Sequence, residues 1–594
     1  MAYKAPVSDM LFTLNRIAGF SRHVEAGLFE DLDNATVEAI LHEAGRFATE
    51  RLAPINRAGD EHPARIVDGQ VAMAEGWKPA YRAFCEAGWN ALPGPKAYGG
   101  QELPVSVAMA VAELWNGANM AFGLNPMLTQ AGIEALLRYG SEPLKTTYLP
   151  KLVSGEWTGS MQLTEPHAGS DLRFLKTRAV PQGDGSYRIT GTKIFITFGD
   201  HPLTDNIVHI VLARLPDAPP GTKGISMFLI PKFLVNEDGS LGARNDVHAA
   251  KLEHKLGIHG SPTCVLNYGD SGGAVGWMIG EPHRGLQYMF VMMNQARLAV
   301  GVQGVGLAEH AFQDALAYAK DRKQGSVSGA ADGDMTPIIN HPDVLRMLLS
   351  MKAKIAAARA ICYANAVAID LSRHARDAET RVRADAEAAL LTPISKAFGS
   401  DIGVEVASEG IQVHGGMGFI EETGAAQHYR DARIAPIYEG TNGIQAIDLV
   451  GRKLAMNGGE TMRAFLAGLK DTVAQVRASN EPGFGAMGES LAGGVAALEE
   501  TSHWLLGQLT ENRDAALAGA TPFGRLFGLT AGGVFLARGA LAAARDGNGG
   551  SGDTPIALAR HFAETQVPAT GGLKSAVTQM HETVLSGHAA SVLG

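Results

Sequence analysis

One stretch of this chain could hold a carboxylate dehydrated and aimed, which is the form in which a carboxylate works as a base. In RDARIAPIYEGTNGIQAIDLVGRKL, residues 430–454, Glu439 follows the apolar Ala435, Pro436, Ile437 and Tyr438 and precedes Gly440, Thr441 and Asn442. Thr441 or Asn442 can cap the helix predicted to follow. A carboxylate between apolar residues and a helix start loses hydration, which raises its pKa and makes it a stronger base. The same pattern also fits a surface glutamate favoured by the helix dipole, and on the local sequence alone that second reading prevails. A second stretch, MQLTEPHAGSDL at 161–172, gathers Thr164, Glu165, Pro166, Gly169, Ser170 and Asp171 into a turn. Such a loop offers N–H groups and hydroxyls to a planar polar ligand, although the same residue types build ordinary turns.

Other chemistries lack their residues. The sequence has no GxxxxGK[ST] phosphate loop, no HExxH and no GxGxxG between a strand and a helix. GVQGVG at 301–306 lies inside a helical pattern and reads as small residues that let helices pack closely. The 19 histidines form no pair at ligand spacing, so no metal is expected. Cys85, Cys264 and Cys362 lie far apart, with neither a disulfide framework nor a CxxC, which points to a reducing compartment. With 61 acidic and 51 basic side chains the net charge is −10, which disfavours a general nucleic-acid binder. An anionic substrate would need local Arg and Lys. The composition, 46% apolar and 19% charged, excludes a largely disordered chain. The N-terminal apolar run is broken by Asn15 and Arg16, a poor signal peptide. No run of about 18 uncharged apolar residues predicts a membrane span. The expected setting is the cytoplasm, with no membrane association.

The elements that position these residues follow from periodicity. Residues 34–57, 77–90 and 105–155 show helical spacing, with Val37, Ile40, Leu41, Ala44 and Phe47 on one face of the first. From about 158 the chain alternates and is rich in β-branched and aromatic residues, as in GSYRITGTKIFITF, NIVHIVLARL and SPTCVLNYG. Helical spacing returns near 285 in three long patterns, the first two joined by the loop GSVSGAADGDMTP at 325–337. Residues from 456 to 594 are again helical in pattern and Ala-rich, with Gly clusters near 484, 493, 532 and 547. Helices, then strands, then helices disfavour a doubly wound sheet. The expected architecture is mostly α with a central β domain. It has an N-terminal helical domain at 1–157, a β-barrel-like domain at 158–282, a helical bundle at 283–455 and an appended helical domain at 456–594.

TEPHAGSD, the FITF strand at 195–198, NQARLAVGVQGVG, AYAKDRKQ, EGIQVHGGMGF and RDARIAPIYEGT occur in this order. Together they resemble the successive signatures of the acyl-CoA dehydrogenase family, over residues of about 40 to 454. The length and the C-terminal extension resemble the long bacterial branch of that family. The resemblance implies an FAD enzyme that oxidises an acyl-CoA thioester to the trans-2-enoyl-CoA. It suggests a short acyl chain, such as 3-(methylthio)propionyl, and electrons passed to an electron-transfer flavoprotein. An oxidase using O₂ and a catalytically silent acyl-CoA-binding or assembly protein are the alternatives.

The resemblance also assigns residues. Glu439 matches the catalytic base. Some relatives carry the base on another helix, where this chain has Gln295 and Ala296, neither a base. For FAD, the matches are Gln162, Leu163 and Thr164; Phe195, Ile196 and Thr197; Thr441 and Gly443; Gln412, Gly415 and Gly416 as the glycine turn near the adenosine end; and Arg322 near the pyrophosphate of a partner subunit's FAD. Phe195 stands where many relatives have Trp, and Arg322 lacks the usual Phe-Gly after it. For the acyl-CoA, the matches are Ser170, Arg297 and Gly440, with Arg297 expected at the nucleotide. A homodimer is expected, with the C-terminal helices burying Trp504, Leu505, Leu509, Phe523, Leu526 and Phe527 against the bundle of the same chain.

Overall fold

The computed structural model describes residues 3–327, 335–479, 481–546 and 553–594. Most of the loop expected at 325–337, and the Gly cluster near 547, lie outside them. The chain forms two compact bodies. One comprises residues 1–46, 105–117 and 297–594, and the other 47–104 and 118–296. Two long helices each contribute residues to both bodies.

The first of these helices follows α1 (Asn34–Phe47) and α2 (Trp77–Glu86) and is α3 (Val105–Tyr139). Its start is fixed by Asp370, whose buried carboxylate accepts from Val105 N at 2.6 Å and Ser106 N at 2.9 Å. This satisfies donors that no residue of α3 itself can reach. α3 bends at Asn119 (φ −161°, ψ 92°), whose Oδ1 accepts from Phe122 N and so caps the second half. α4 (Glu142–Ser154) leads into the strands.

The second body holds the sheet. Its strands are β1 (Trp157–Gln162), β2 (Arg178–Pro181), β3 (Tyr187–Thr197), β4 (Asn206–Arg214), β5 (Ile225–Pro231), β6 (Val247–Leu252), β7 (Thr263–Tyr268) and β8 (Ala274–Ile279). The order is β6-β7-β3-β8-β5-β4-β1, with β2 against β3 and β4. All pairs are antiparallel except β1 with β4 and β2 with β4. β4 and β5 are buried on both faces, hence their near-continuous apolar runs, interrupted by His209 in β4 and Ser226 in β5.

The first body is a helical bundle. Its long helices are α5 (Gly285–Asp321), α6 (Pro342–His374) and α7 (Ala378–His414), followed by the short α8 (Ala425–Ala432) and α9 (Asn442–Asp448). The small residues of 301–306 do what their spacing predicts. A Cβ added at Gly301 would lie 2.2 Å from Ser395 O, and one at Gly304 2.2 Å from Gly399 O, so α5 and α7 touch backbone to backbone. Arg359 on α6 is buried between Glu113 of α3 and Glu309 of α5, at 2.7 and 3.0 Å. Each of these charges is compensated, which a buried charge requires.

The extension contributes α10 (Glu460–Ala478), α11 (Met487–Glu511), α12 (Ala520–Asp546), α13 (Asp553–Thr565) and α14 (Ala569–Val584). It packs on the bundle of its own chain, as expected. Leu505, Phe523, Leu526 and Phe527 are fully buried, whereas Trp504 and Leu509 are only partly so. α6 and α12 are apolar and long enough to cross a membrane by composition. Here 72% and 89% of their most apolar windows are buried in the fold. Charged residues interrupt both helices, so no uncharged apolar run marked them in the sequence.

Gly528 of α12 is a contact point: a Cβ there would lie 2.3 Å from the Phe398 ring of α7. Gly528→Val is expected to destabilise the bundle by about 1–3 kcal/mol through overpacking. Gly468→Ala, on an exposed face of α10 with nothing within 4 Å, is expected to stabilise by about 0.5–1 kcal/mol. Thermal unfolding of the two variants checks both signs.

Candidate active site

Glu439 ends the turn between α8 and α9, in the bundle body. Its backbone is left-handed (φ +54°) and Gly440 after it is too (φ +81°). A non-glycine residue there costs of order 1–3 kcal/mol and persists only where its surroundings over-determine it. Those surroundings are specific. Gln445 of α9, fully buried, donates from Nε2 to Glu439 O at 3.2 Å and Gly440 O at 3.1 Å. Thr441 Oγ1 accepts from Ile444 N at 3.2 Å, the cap that the sequence offered. Asn442 is gripped by α7. Its Oδ1 accepts from Lys396 Nζ at 2.8 Å, and its Nδ2 donates to Asp401 Oδ1 at 2.7 Å and Ala397 O at 3.2 Å. Before the turn, the Tyr438 hydroxyl donates to Gln303 Oε1 of α5.

The Glu439 carboxyl is surrounded by protein while the residue stays partly open at its surface. Burial pushes its pKa up to about 7, against the pull of the Arg297 and Lys396 cations. Lys396 is fully buried, and burial pushes its ammonium down despite the nearby carboxylates of Glu439 and Asp401. A carboxylate that keeps its proton up to neutral pH is a base of useful strength. Of the two sequence readings of Glu439, burial of its carboxyl matches the dehydrated one.

Arg297 corrects an expectation. It is 4% exposed, pairs with Asp448 at 3.3 Å and acts electrostatically on Glu439. Asp448 also pairs with Arg452 at 2.6 Å. A guanidinium held this way serves the floor of the carboxylate site and does not reach outward for a nucleotide. Its position at the start of the bundle part of α5 sets this, because that face of α5 packs inward.

Arg322, Gln412, Gly415 and Gly416 are exposed where α5 and α7 end. Tyr318 of α5 stacks on His414 of α7 with centroids 4.5 Å apart, which joins those ends. Gln412 lies 16 residues beyond Lys396 along α7, about 24 Å at helical rise. These four residues are brought together with one another and stand apart from the Glu439 turn.

In the sheet body, the strand ends expected to meet a flavin are adjacent: Ile194 N donates to Thr164 O at 3.0 Å. Two side chains there turn inward, contrary to expectation. Gln162 is fully buried, with Nε2 at 2.8 Å from His209 Nδ1 and Oε1 accepting from the Tyr268 hydroxyl. Ile196 is 3% exposed in the sheet core. Side chains alternate along strands, so these two leave only their main chains for a ligand. Leu163, Thr164 and Thr197 are partly open. Phe195 is 61% exposed and left-handed at φ +60°. An aromatic ring held open at strained backbone, beside two threonines and at a register shift where Phe195 has no paired residue in β7, fits a planar ring system. Ser170 is exposed in a loop anchored by Glu165, which accepts from Lys176 N, Thr177 N and Lys193 Nζ. Glu165, read as part of a ligand loop, is therefore its anchor.

Several of these residues escaped the sequence reading. Lys396, Gln445 and Lys193 sit within apolar periodic patterns, and a lysine on a core face was the available signal. His310, Asp314 and His428 bring possible ligand atoms within 4.8 Å of one another, although no sequence spacing joined them. They are joined by hydrogen bonds: His310 Nδ1 donates to Gly117 O at 2.7 Å, and His428 Nε2 to Asp314 at 2.9 Å.

A helical bundle that holds one dehydrated carboxylate between two buried cations, on a chain that also folds an eight-stranded sheet with an open aromatic strand end, has the makings of a proton-abstracting flavoenzyme. The family models agree. Residues 34–156, 160–271 and 283–454 match the acyl-CoA dehydrogenase N-terminal, middle and C-terminal domains, and residues 460–587 match the acetyl-CoA dehydrogenase C-terminal-like domain. The chain is 44% identical over 592 residues to 3-methylmercaptopropionyl-CoA dehydrogenase of Ruegeria pomeroyi, covering 99% of this chain and 100% of that one. It is 38% identical to a butyryl-CoA dehydrogenase of Syntrophomonas wolfei over 80% of this chain and 79% of that one. A solved acyl-CoA dehydrogenase from Bacillus anthracis, complexed with FAD, shares the fold at TM-score 0.75 and 22% identity, covering 95% of this chain and 91% of that one. The chain belongs to the acyl-CoA dehydrogenase family and is an FAD-dependent acyl-CoA dehydrogenase.

The anchor of the Ser170 loop is a testable part of this site. Lys193→Met leaves Glu165 as an uncompensated carboxylate, 2% exposed at its side chain, and is expected to cost about 3–5 kcal/mol. Adding Glu165→Gln is expected to recover part of that loss. Chemical unfolding of wild type, single and double variants reads the coupling.

Proposed function

We propose that this enzyme dehydrogenates a short acyl-CoA, 3-(methylthio)propionyl-CoA being the leading substrate, and passes the electrons to an electron-transfer flavoprotein. The observation that carries the dehydrogenation is the left-handed, dehydrated Glu439, and full-length likeness to the Ruegeria enzyme supports the substrate.

Glu439 removes the proton on the carbon next to the thioester carbonyl, so that C–H bond breaks and its electrons move into the developing double bond. Bound FAD would supply the acceptor for the hydride that leaves the β-carbon. The thioester α-C–H is a weak acid, so both a positioned base and a dry site are needed. Gln445 fixes the carbonyls of Glu439 and Gly440, which sets the direction of the carboxylate. Arg297, tied to Asp448, supplies fixed positive charge on the side of Gly440, where a Cβ would lie 3.8 Å from its Nη2. Phe195, Thr164 and Thr197 are the residues of the sheet body proposed to hold the flavin ring, and Leu163 backs them from the core.

Glu439→Gln is expected to keep flavin and acyl-CoA binding and to lose turnover by about 10²–10⁴-fold or more. Only the ionised carboxylate accepts a proton. With its pKa raised to about 7, kcat/KM of the wild type is expected to fall as pH drops below that value and to level off above it. Near-normal turnover in the variant, or a profile flat through neutrality, would contradict the assignment.

Anaerobic assays of the purified enzyme with short, medium and 3-methylthio acyl-CoAs are expected to give the highest kcat/KM for the 3-methylthio thioester. Reoxidation is expected to be fast with electron-transfer flavoprotein and slow in air. Preference for a long chain would overturn the substrate, and fast reoxidation by O₂ would overturn the acceptor in favour of an oxidase.

A further inference from the structure

Lys396 is a fully buried lysine on the face of α7 that meets the base-bearing turn. Its Nζ donates to Asn442 Oδ1 at 2.8 Å, and among the described residues it forms no salt bridge. A buried ammonium whose hydrogen-bond partner is neutral is expensive unless a charge beyond that partner compensates it. The carboxylates that act on it are Glu439, three residues before Asn442 in the same turn, and Asp401, one helical turn further along α7. Asp401 is already engaged by Asn442 Nδ2 at 2.7 Å and faces Arg525 of α12. Arg525 is itself paired with Glu405 at 2.7 Å. On the α5 side, Arg297 is paired with Asp448, which also holds Arg452. Among the described residues neither Glu439 nor Asp401 has a salt bridge, and Lys396 has none; of the two carboxylates, Asp401 is the one held by Asn442 Nδ2 and acted on by Arg525.

We propose that Lys396 is the positioning residue of the base: its ammonium locks Asn442 and, through the charge it presents to the turn, keeps Glu439 ionised in a site with little water to do so. The proposal rests on Glu439 being the base. The side chain touches neither substrate nor reacting atoms; it acts through Glu439. Two contributions are separable. The hydrogen bond to Asn442 fixes the turn, and the charge favours the carboxylate over the carboxylic acid. The direction follows: an opposite charge nearby lowers a carboxyl pKa, so removing it raises the pKa of Glu439. The acid limb of the rate profile then moves to higher pH. A purely structural loss would instead lower the rate by the same factor at every pH.

The test compares kcat/KM against pH for flavin-loaded wild type, Lys396→Met, Lys396→Gln and Lys396→Arg, with Glu439→Gln alongside. Lys396→Met removes the hydrogen bond and the charge. Lys396→Gln keeps a donor for Asn442 without the charge. Lys396→Arg keeps the charge. In Met and Gln the acid limb is expected to move up by about one pH unit, so that kcat/KM on that limb is about tenfold lower and recovers at higher pH. In Arg it is expected to stay near its wild-type position. A flavin-loaded Met or Gln variant with an unmoved limb would overturn the proposal, and so would an Arg variant shifted as far as Met. If one neutral variant fails to bind flavin, the other carries the comparison. An active Glu439→Gln would instead remove the base assignment itself, an outcome distinct from failure of the lysine's role.

Discussion

A carboxylate placed away from water tends to take up a proton, and the bundle is arranged around one that has to stay able to give it up. Glu439 sits on left-handed backbone between an apolar approach and a helix start. The hold comes from α9 directly after it, through Gln445 on two successive carbonyls, and from the distant α7, through Lys396 and Asp401 on Asn442. The turn is therefore fixed both by the helix that follows it and by one far away in sequence. Its strain and its electrostatics share one source.

That arrangement needs α5 and α7 close together, since Arg297 rises from one and Lys396 from the other. Glycines at 301, 304, 399 and 403 provide the closeness by removing side chains where the backbones meet. Arg359, held by Glu113 and Glu309, fixes α6 in the same body. The extension adds a further layer. α12 lays Gly528 over Phe398 and Gly532 over Ala357, and it leaves a cavity of about 390 Å³ behind Asn442 and Gln445. The back of the catalytic turn is thus bounded by residues that shorter relatives of the family would lack.

The sheet body solves a different problem. Its ligand-facing loop is rich in turn residues and has little apolar surface of its own. The Glu165 carboxylate, accepting from two backbone N–H groups and from Lys193, ties it to the strands. Strand alternation then decides which side chains of the neighbouring segments face out. Gln162 and Ile196 go to the core, and Leu163, Thr164, Phe195 and Thr197 remain open.

Much was legible in the chain itself. Helical and alternating periodicity separated the helices from the strands, because those patterns are local and set by which face is buried. The order of the motifs identified the family, and Thr441 announced its cap. Small residues at 301–306 announced a close helix contact. What periodicity could not supply was the partner of each face. Arg297 was read as a nucleotide ligand, yet it lies buried against Asp448; Gln162 was read as a flavin contact, yet it points into the sheet. Lys396 is singled out only by the packing of α7 against the Glu439 turn. Sequence sets which residues are on one face of one element. Which charges meet across elements, and so which carboxylate is dehydrated and which cation is left to hold it, is decided only when the helices pack, because electrostatics in a low-dielectric interior depends on distances that no spacing along the chain specifies.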